Sequence, residues 1–177
     1  KLHLKIIDIQ KIQTHGGSIR VFVSKKESKR VINYKKINKF IKQEDKYKLK
    51  HLSTFINFSK KIEIEREKLS NFFNKISNYR IYGYGAPAKA VTLINFFNLN
   101  HKNINLIIDD SKLKQNKYIP GSKIKITNSK ILNSKPPNYV IIFAWNVYMD
   151  IIPKLKNYKR IEYIVIPLPK FKTIKLQ

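Results

Sequence analysis

Two segments near the start of the chain alternate apolar and polar residues as β-strands do. Residues 4–12 (LKIIDIQKI) form the first, and residues 18–24 (SIRVFVS) form the second, with apolar residues at positions 19, 21 and 23. The connection between them contains Gly16-Gly17, which suits a tight turn. We therefore predict an antiparallel strand pair. Because two strands alone are marginally stable in water, we expect the pair to belong to a larger sheet.

The next part of the chain changes to a helical spacing. Residues 34–42 predict a weak helix within a polar, Lys-rich stretch. Apolar residues then recur three, four or seven positions apart, at Phe55, Phe58, Ile62, Leu69, Phe72 and Ile76. This spacing predicts a long helix with one apolar face, which would connect two parts of the chain and pack on a sheet.

From residue 79 onward, short apolar strands alternate with helices. The predicted strands are residues 79–84, 103–109, 138–144 and 161–167, and the predicted helices are residues 87–98 and 147–157. A polar loop over residues 110–137, with a short helix near 128–134, interrupts the alternation. Strand–helix alternation with apolar strands favours an α/β fold with a parallel sheet flanked by helices.

Composition narrows the class of protein. The chain has 177 residues and is 42% hydrophobic, which is enough for a buried core, and it has no cysteine. Disulfides and thiolate metal sites are thereby excluded, and no spacing of His, Asp or Glu resembles a metal-ligand motif. No apolar run approaches the roughly 20 residues that span a bilayer, and no signal-peptide pattern opens the chain. We therefore expect a cytoplasmic protein.

The formal net charge of +26 raises the question of nucleic-acid binding. Arginine, the residue that base-specific readers favour, occurs only at positions 20, 30, 66, 80 and 160, whereas lysines are spread along the whole chain. Lysine, isoleucine and asparagine are abundant together, as expected when AT-rich coding biases the amino-acid composition. We therefore expect no specific nucleic-acid partner and no membrane partner, although a positive field would attract an anionic substrate.

The sequence GYGAPAK, residues 83–89, is the strongest candidate for a ligand site. It follows a predicted strand and opens a predicted helix. Gly83 would provide the conformational freedom of a tight turn, and Gly85 would let the backbone approach a ligand. Pro87 suits the first turn of a helix, whose free N–H groups attract an anion, and Lys89 adds a full charge.

Two further residues extend this motif. Ala88 occupies the third small position, where helix and strand pack closely. Asp109 ends the next strand about 20 residues later, where it would bind a ribose hydroxyl or a cation. Capping and loop solvation explain Asp109 equally well, and a tight strand-to-helix turn without a ligand would explain the whole motif.

Two other motifs carry side chains suited to binding. In THGGS, His15 would act as a base or a phosphate contact, unless it is a surface residue in a turn. In FAWN, Trp145 would stack on a base or sugar and Asn146 would form a hydrogen bond to it. The alternative is that Asn146 is the N-cap of a helix, which is compatible with binding.

These motifs together resemble a known family. THGGSIRVFV, YGYGAPAKAVTLINFF, IIDDSKLKQNKYIPGSKIKI, KPPNYVIIFAWN and YIVIPLPK are similar, in order and spacing, to segments of sugar C-methyltransferases. These enzymes transfer a methyl group from S-adenosylmethionine to a carbon of a nucleotide-linked keto-deoxysugar. The resemblance implies that residues 1–32 end a methyltransferase domain, residues 33–78 form a helical linker, and residues 79–177 form a Rossmann-like C-terminal domain.

The resemblance also implies which domains of the enzyme bind the methyl donor and which bind the substrate. S-adenosylmethionine would be bound by N-terminal domains of the same enzyme, which this sequence lacks. The family's proposed base, in a Glu-His-Leu motif upstream of these strands, is absent too. No catalytic residue is therefore assigned, and we expect the chain alone to be inactive. The partners would be a nucleoside-diphosphate sugar and those N-terminal domains.

The substrate-binding residues that follow from the motifs and the resemblance fall into three groups. They are His15, Gly16, Gly17, Ser18 and Arg20; Gly83, Gly85, Ala86, Pro87 and Lys89; and Asp109, Trp145 and Asn146. Two alternatives to a substrate-binding part of a methyltransferase stay open. They are a nicotinamide-dinucleotide-binding domain and a non-catalytic remnant.

Overall fold

The computed structural model describes residues 2–176, except for the side chain of His15. The chain divides into two compact units, Lys1–Ile62 and Glu63–Gln177. The three segments expected from the sequence, with boundaries after residues 32 and 78, stay predictions.

The first unit contains an antiparallel strand pair and a helix. Strands β1 (Leu4–Ile12) and β2 (Ser18–Lys25) pair in antiparallel orientation, as predicted. A short 3-10 turn, Thr14–Gly16, connects them. Helix α1 (Tyr34–Lys46) packs against β1. Its N-cap, Asn33, accepts a hydrogen bond from the Lys36 backbone at 3.2 Å. The Asn33 N–H donates a hydrogen bond to the carbonyl of Ile7 at 2.8 Å, which fixes the start of α1 next to β1.

The strand pair leaves apolar side chains in contact with solvent. Ile6, Ile19, Val21 and Val23 are between 41% and 55% exposed, while Ile9 is buried. Within the described residues this sheet has two strands. Neither the pair nor α1 therefore covers these side chains.

Helix α2 (Leu52–Lys75) confirms the long helix expected from the apolar spacing. Its later half buries Leu69 and Phe73 in the core of the second unit. The division between the two units falls inside this helix.

A six-stranded sheet forms the centre of the second unit, in the order β5-β4-β3-β6-β7-β8. Its strands are β3 (Ile81–Tyr84), β4 (Leu106–Ile108), β5 (Ile126–Thr127), β6 (Tyr139–Ile142), β7 (Tyr163–Ile166) and β8 (Lys172–Lys175). The first five are parallel, which confirms the predicted parallel sheet, and β8 runs antiparallel to β7. Strands β5 and β8 were not predicted, because one has two residues and the other is largely polar.

Helices cover both faces of this sheet. Helix α3 (Ala88–Phe96) packs with α2 on one face, where Ala90 and Ile94 are fully buried. Helices α4 (Ile131–Ser134) and α5 (Tyr148–Lys156) cover the other face. No helix in residues 2–176 is both long and apolar enough to cross a membrane.

The direction in which strands are added to the sheet reverses at one place. From β3 the chain passes to β4 on one side, and it later returns to β6 on the other side of β3. The carboxyl ends of β3 and β6 therefore form a topological switch point, where ligands bind in open α/β sheets.

Candidate functional site

Gly83 lies inside β3 and is buried. A Cβ at this position would lie 2.7 Å from Cγ1 of Ile107 and 2.7 Å from Cε2 of Phe143. Gly16, Gly17, Gly85 and Gly121 have a positive φ, but Gly83 does not. The expected reason for this glycine, the freedom of a tight turn, is therefore wrong, and close packing under the strand requires it.

The turn occurs at Gly85, where φ is +85°. The Gly85 N–H donates to the carbonyl of Ile108 at 2.7 Å. A Cβ at Gly85 would lie 2.9 Å from Cβ of Ala144, which follows β6. Gly85 thus lets the loop after β3 contact the segment after β6. We call the region where these two segments meet the switch-point crevice.

Asp109 fixes the shape of this loop from the neighbouring strand. Its side chain is almost fully buried, and Oδ2 accepts hydrogen bonds from the Ala86 N–H at 2.7 Å and from Nζ of Lys114 at 3.2 Å. Its Oδ1 accepts from the Ser111 N–H at 2.9 Å. Both carboxylate oxygens are therefore engaged within the protein. The expected ribose or cation contact of Asp109 stays a prediction.

Sequence reasoning missed Lys114 and Ser111 as partners of Asp109. They lie five and two residues after it, in a polar segment without a recognisable motif. A hydrogen bond from an N–H two residues after an Asp is a common turn signal, and it would have indicated Ser111.

Helix α3 begins directly after this loop, with Pro87 as its N-cap. The backbone carbonyl of Pro87 accepts from the Ala90 N–H at 2.8 Å. Ala88 is exposed, whereas Ala86 and Ala90 are buried. The close packing expected at Ala88 therefore occurs at Ala86 and Ala90 instead. The N–H groups of Ala88 and Lys89 lie in the first turn and have no acceptor within the helix.

The side chain of Lys89 crosses the crevice. Its Nζ lies 4.3 Å from the centroid of the Trp145 ring and donates a hydrogen bond to Oδ1 of Asn146. Lys89 and Trp145 are half-buried. Burial lowers the pKa of the Lys89 ammonium below its usual 10.5, because the charged form loses water. Among residues 2–176, no carboxylate forms an ion pair with this ammonium.

Asn146 does not cap a helix. It lies within a 3-10 turn, Trp145–Val147, whose N-cap is Ala144, and α5 follows with Val147 as its N-cap. The alternative explanation of Asn146 as a helix cap is therefore wrong. The hydrogen bond from Lys89 accounts for its side chain instead.

The remaining predicted residues lie in the first unit. Gly16 and Gly17 have φ of 87° and 122°, and Oγ of Ser18 donates to the Thr14 carbonyl at 3.0 Å within the turn. Arg20 is exposed on β2, and the side chain of His15 lies outside the described part. Their roles in binding stay predictions. Among the described residues, no three His, Cys, Asp or Glu side chains are grouped to hold a metal ion.

A mostly parallel, doubly wound sheet with a glycine loop at its switch point defines a Rossmann-like α/β domain. Residues 13–169 match the family described as the C-methyltransferase C-terminal domain, and the chain belongs to this family. The chain is also 25% identical over 174 residues to C-methyltransferase NovU of Streptomyces niveus. That alignment covers 97% of this chain and 41% of NovU, so the chain spans about two fifths of its relative. The C-methyltransferase family expected from the sequence motifs is confirmed, and the sugar substrate stays a prediction.

Proposed function

We propose that this chain is the substrate-binding portion of a C-methyltransferase that uses S-adenosylmethionine and acts on a nucleotide-linked keto-deoxysugar. The observation that carries the proposal is the crevice at the start of α3, where the Lys89 ammonium lies against the ring of Trp145. Family membership supplies the reaction class.

The crevice offers a contact for each part of a nucleoside diphosphate. The first-turn N–H groups of Ala88 and Lys89, with the positive end of the helix dipole, would bind the diphosphate. The Lys89 ammonium would add a charge-assisted hydrogen bond. The face of Trp145 would stack on the base, and Asn146 would donate or accept a hydrogen bond. Binding energy from these remote groups would help to place the sugar for reaction.

The partners of Asp109 argue against the alternative of a dinucleotide-binding domain. In a dinucleotide site the acidic residue after the second strand accepts hydrogen bonds from a ribose. Here both carboxylate oxygens of Asp109 already accept hydrogen bonds from the Ala86, Ser111 and Lys114 nitrogens. A ribose hydroxyl would have to compete with these groups.

The same crevice does not fit the methyl donor. S-adenosylmethionine has a sulfonium cation, and the Lys89 ammonium here contacts Asn146 and Trp145 without an ion pair to any carboxylate of the described residues. We propose that the donor binds to N-terminal domains of the same enzyme, that this chain alone is inactive, and that the enzyme is cytoplasmic. No catalytic base is assigned to these residues.

Isothermal titration calorimetry with a thymidine diphosphate sugar, NAD and S-adenosylmethionine tests the proposal. We expect weak binding of the sugar nucleotide that persists at raised salt, and no measurable binding of the methyl donor. Salt must be varied because the Lys-rich surface attracts any anion. Tighter binding of NAD would favour the dinucleotide alternative. No binding of any of the three ligands would favour a non-catalytic remnant.

A further inference from the structure

A cavity lies on the side of the sheet that α4 and α5 cover. It has a volume of about 300 Å³ and is lined by Tyr84, Asp110, Ser129, Leu132, Lys154 and Tyr158, among others. Neither Lys89 nor Trp145 contributes to it. The volume is at the lower end of the about 300–1,000 Å³ typical of small-ligand sites, which limits a ligand to roughly one ring.

The inner wall of this cavity is apolar and the rim is polar. Leu132 and Leu155 are buried, and the ring of Tyr84 is 7% exposed. Around them stand the side chains of Asp110 and Lys154, both exposed at the mouth. An apolar wall beneath a polar rim suits a ligand with a C–H face and hydroxyl groups around its edge.

One hydrogen bond organises the rim. The phenol of Tyr84 donates to Oδ2 of Asp110 at 3.3 Å. Burial, followed by the negative charge of Asp110, raises the pKa of Tyr84 to about 12. The phenol therefore stays neutral and retains a lone pair as an acceptor. The exposed Asp110 carboxylate retains Oδ1 as a further acceptor.

The charges at the rim select against ions. A phosphate would meet the Asp110 carboxylate, and a cation would meet the Lys154 ammonium. Hydroxyl groups both donate and accept, so they can pair with Asp110, Lys154 and the hydroxyl of Ser129 together. A polyhydroxylated neutral ring satisfies this mixture, whereas a simple anion or cation does not.

From this cavity we infer a second binding site, which takes one sugar ring through its hydroxyl groups. Asp110 accepts hydrogen bonds from neighbouring hydroxyls, Lys154 donates to another, and the apolar wall contacts the C–H face of the ring. The site is independent of the crevice at Lys89, and it stands whether or not that crevice binds a sugar nucleotide.

Amide NMR spectra of the whole chain, titrated with methyl α-D-glucopyranoside and separately with inorganic phosphate, test this inference. We expect the glucoside to shift the amide signals of Asp110, Ser129 and Asn157 with millimolar affinity. Asp110→Asn and Tyr84→Phe should each weaken binding about five- to tenfold, because the first replaces a charged acceptor oxygen by an amide donor and the second removes the phenol hydroxyl.

Matched controls separate binding from folding. Tyr82 lies two residues before Tyr84 on the same strand and donates instead to the Lys135 carbonyl. Tyr82→Phe and Asp150→Asn should therefore leave the affinity unchanged. Unaltered dispersion of the spectrum establishes that each variant is folded. Glucoside shifts confined to other residues, unchanged affinity in Asp110→Asn, equal shifts with phosphate, or no shifts well above millimolar concentration would each overturn the inference.

Discussion

Lys89 and Trp145 are joined across the switch-point crevice, with the lysine Nζ 4.3 Å from the centroid of the indole ring. One residue belongs to the first turn of α3 and the other to the segment after β6. In this arrangement the ammonium occupies the indole face on which a base would stack. If a nucleotide binds as proposed, the base replaces the ammonium on the ring, and the ammonium is released toward the diphosphate.

The protonation of Lys89 should be coupled to anion binding. Burial lowers its pKa in the free protein below 10.5, and a bound diphosphate would favour the charged form and raise the pKa again. Binding of the diphosphate should therefore take up protons. The affinity for the diphosphate should fall as pH rises through the pKa of Lys89 in the free protein. The measurement is the calorimetric enthalpy at several pH values below 10.5, in buffers of different ionisation enthalpy. Buffer dependence that persists in Lys89→Met would assign the proton to another group, and its absence in the parent chain would contradict the prediction.

Removing the Asp109 carboxylate should destabilise the second unit. Asp109→Ala leaves the buried Ala86 N–H and the partly buried Ser111 N–H without acceptors, which should cost about 2–3 kcal/mol. Trp145 is the only tryptophan, so its fluorescence during urea unfolding follows this unit. Asp110→Ala is the control, because Asp110 is exposed and its replacement should lower the free energy of unfolding by less. Equal losses in the two variants would show that the Asp109 hydrogen bonds do not stabilise the loop.

Adding one methyl group to Gly83 should also destabilise the domain. The new Cβ would lie 2.7 Å from both Ile107 and Phe143, so the core must shift at a cost of about 1–3 kcal/mol. Ala88→Ser adds one atom at an exposed position five residues later and should change stability by less than about 0.5 kcal/mol. Urea unfolding measures both variants. A parent-like midpoint for Gly83→Ala would refute the packing explanation.

The strand pair of the first unit should promote self-association. Ile19, Val21 and Val23 are exposed along β2, and exposed apolar strands associate edge to edge or face to face. We expect light scattering to detect oligomers of the whole chain, and Val21→Lys together with Val23→Lys to reduce their mass. Leu113→Lys, at a single exposed leucine in the second unit, serves as the control. A parent chain that is monomeric at all concentrations would contradict this prediction.

The sequence predicted the elements that have a strong periodic pattern. The parallel strands, the long helix α2 and the position of the loop at residues 83–89 follow from apolar runs and from glycine placement. Strand β8, with the sequence KTIK, carries almost no hydrophobic signal, because it is an edge strand that pairs through its backbone with β7.

The chemistry inside the site was harder to predict, because it depends on contacts between distant segments. Gly83 and Gly85 both belong to the motif, but the packing that requires Gly83 comes from Phe143, a residue 60 positions away in the sequence. The engagement of Asp109 with Lys114 has no sequence signature either. Gly85 is also a poor probe of ligand binding, since a side chain there would clash with Ala144 even without a ligand.

The most direct test of the proposed substrate site is the fluorescence of Trp145 during titration with a thymidine diphosphate sugar at raised salt. Stacking of the base on the indole should quench the emission in a saturable manner. Lys89→Met should weaken the apparent affinity about tenfold, because one charge-assisted contact to the diphosphate is lost. Lys112→Met, at an exposed lysine outside the crevice, should behave as the parent chain does. Emission that does not change while calorimetry detects binding, or equal affinity in Lys89→Met, would contradict a sugar-nucleotide site at Lys89 and Trp145.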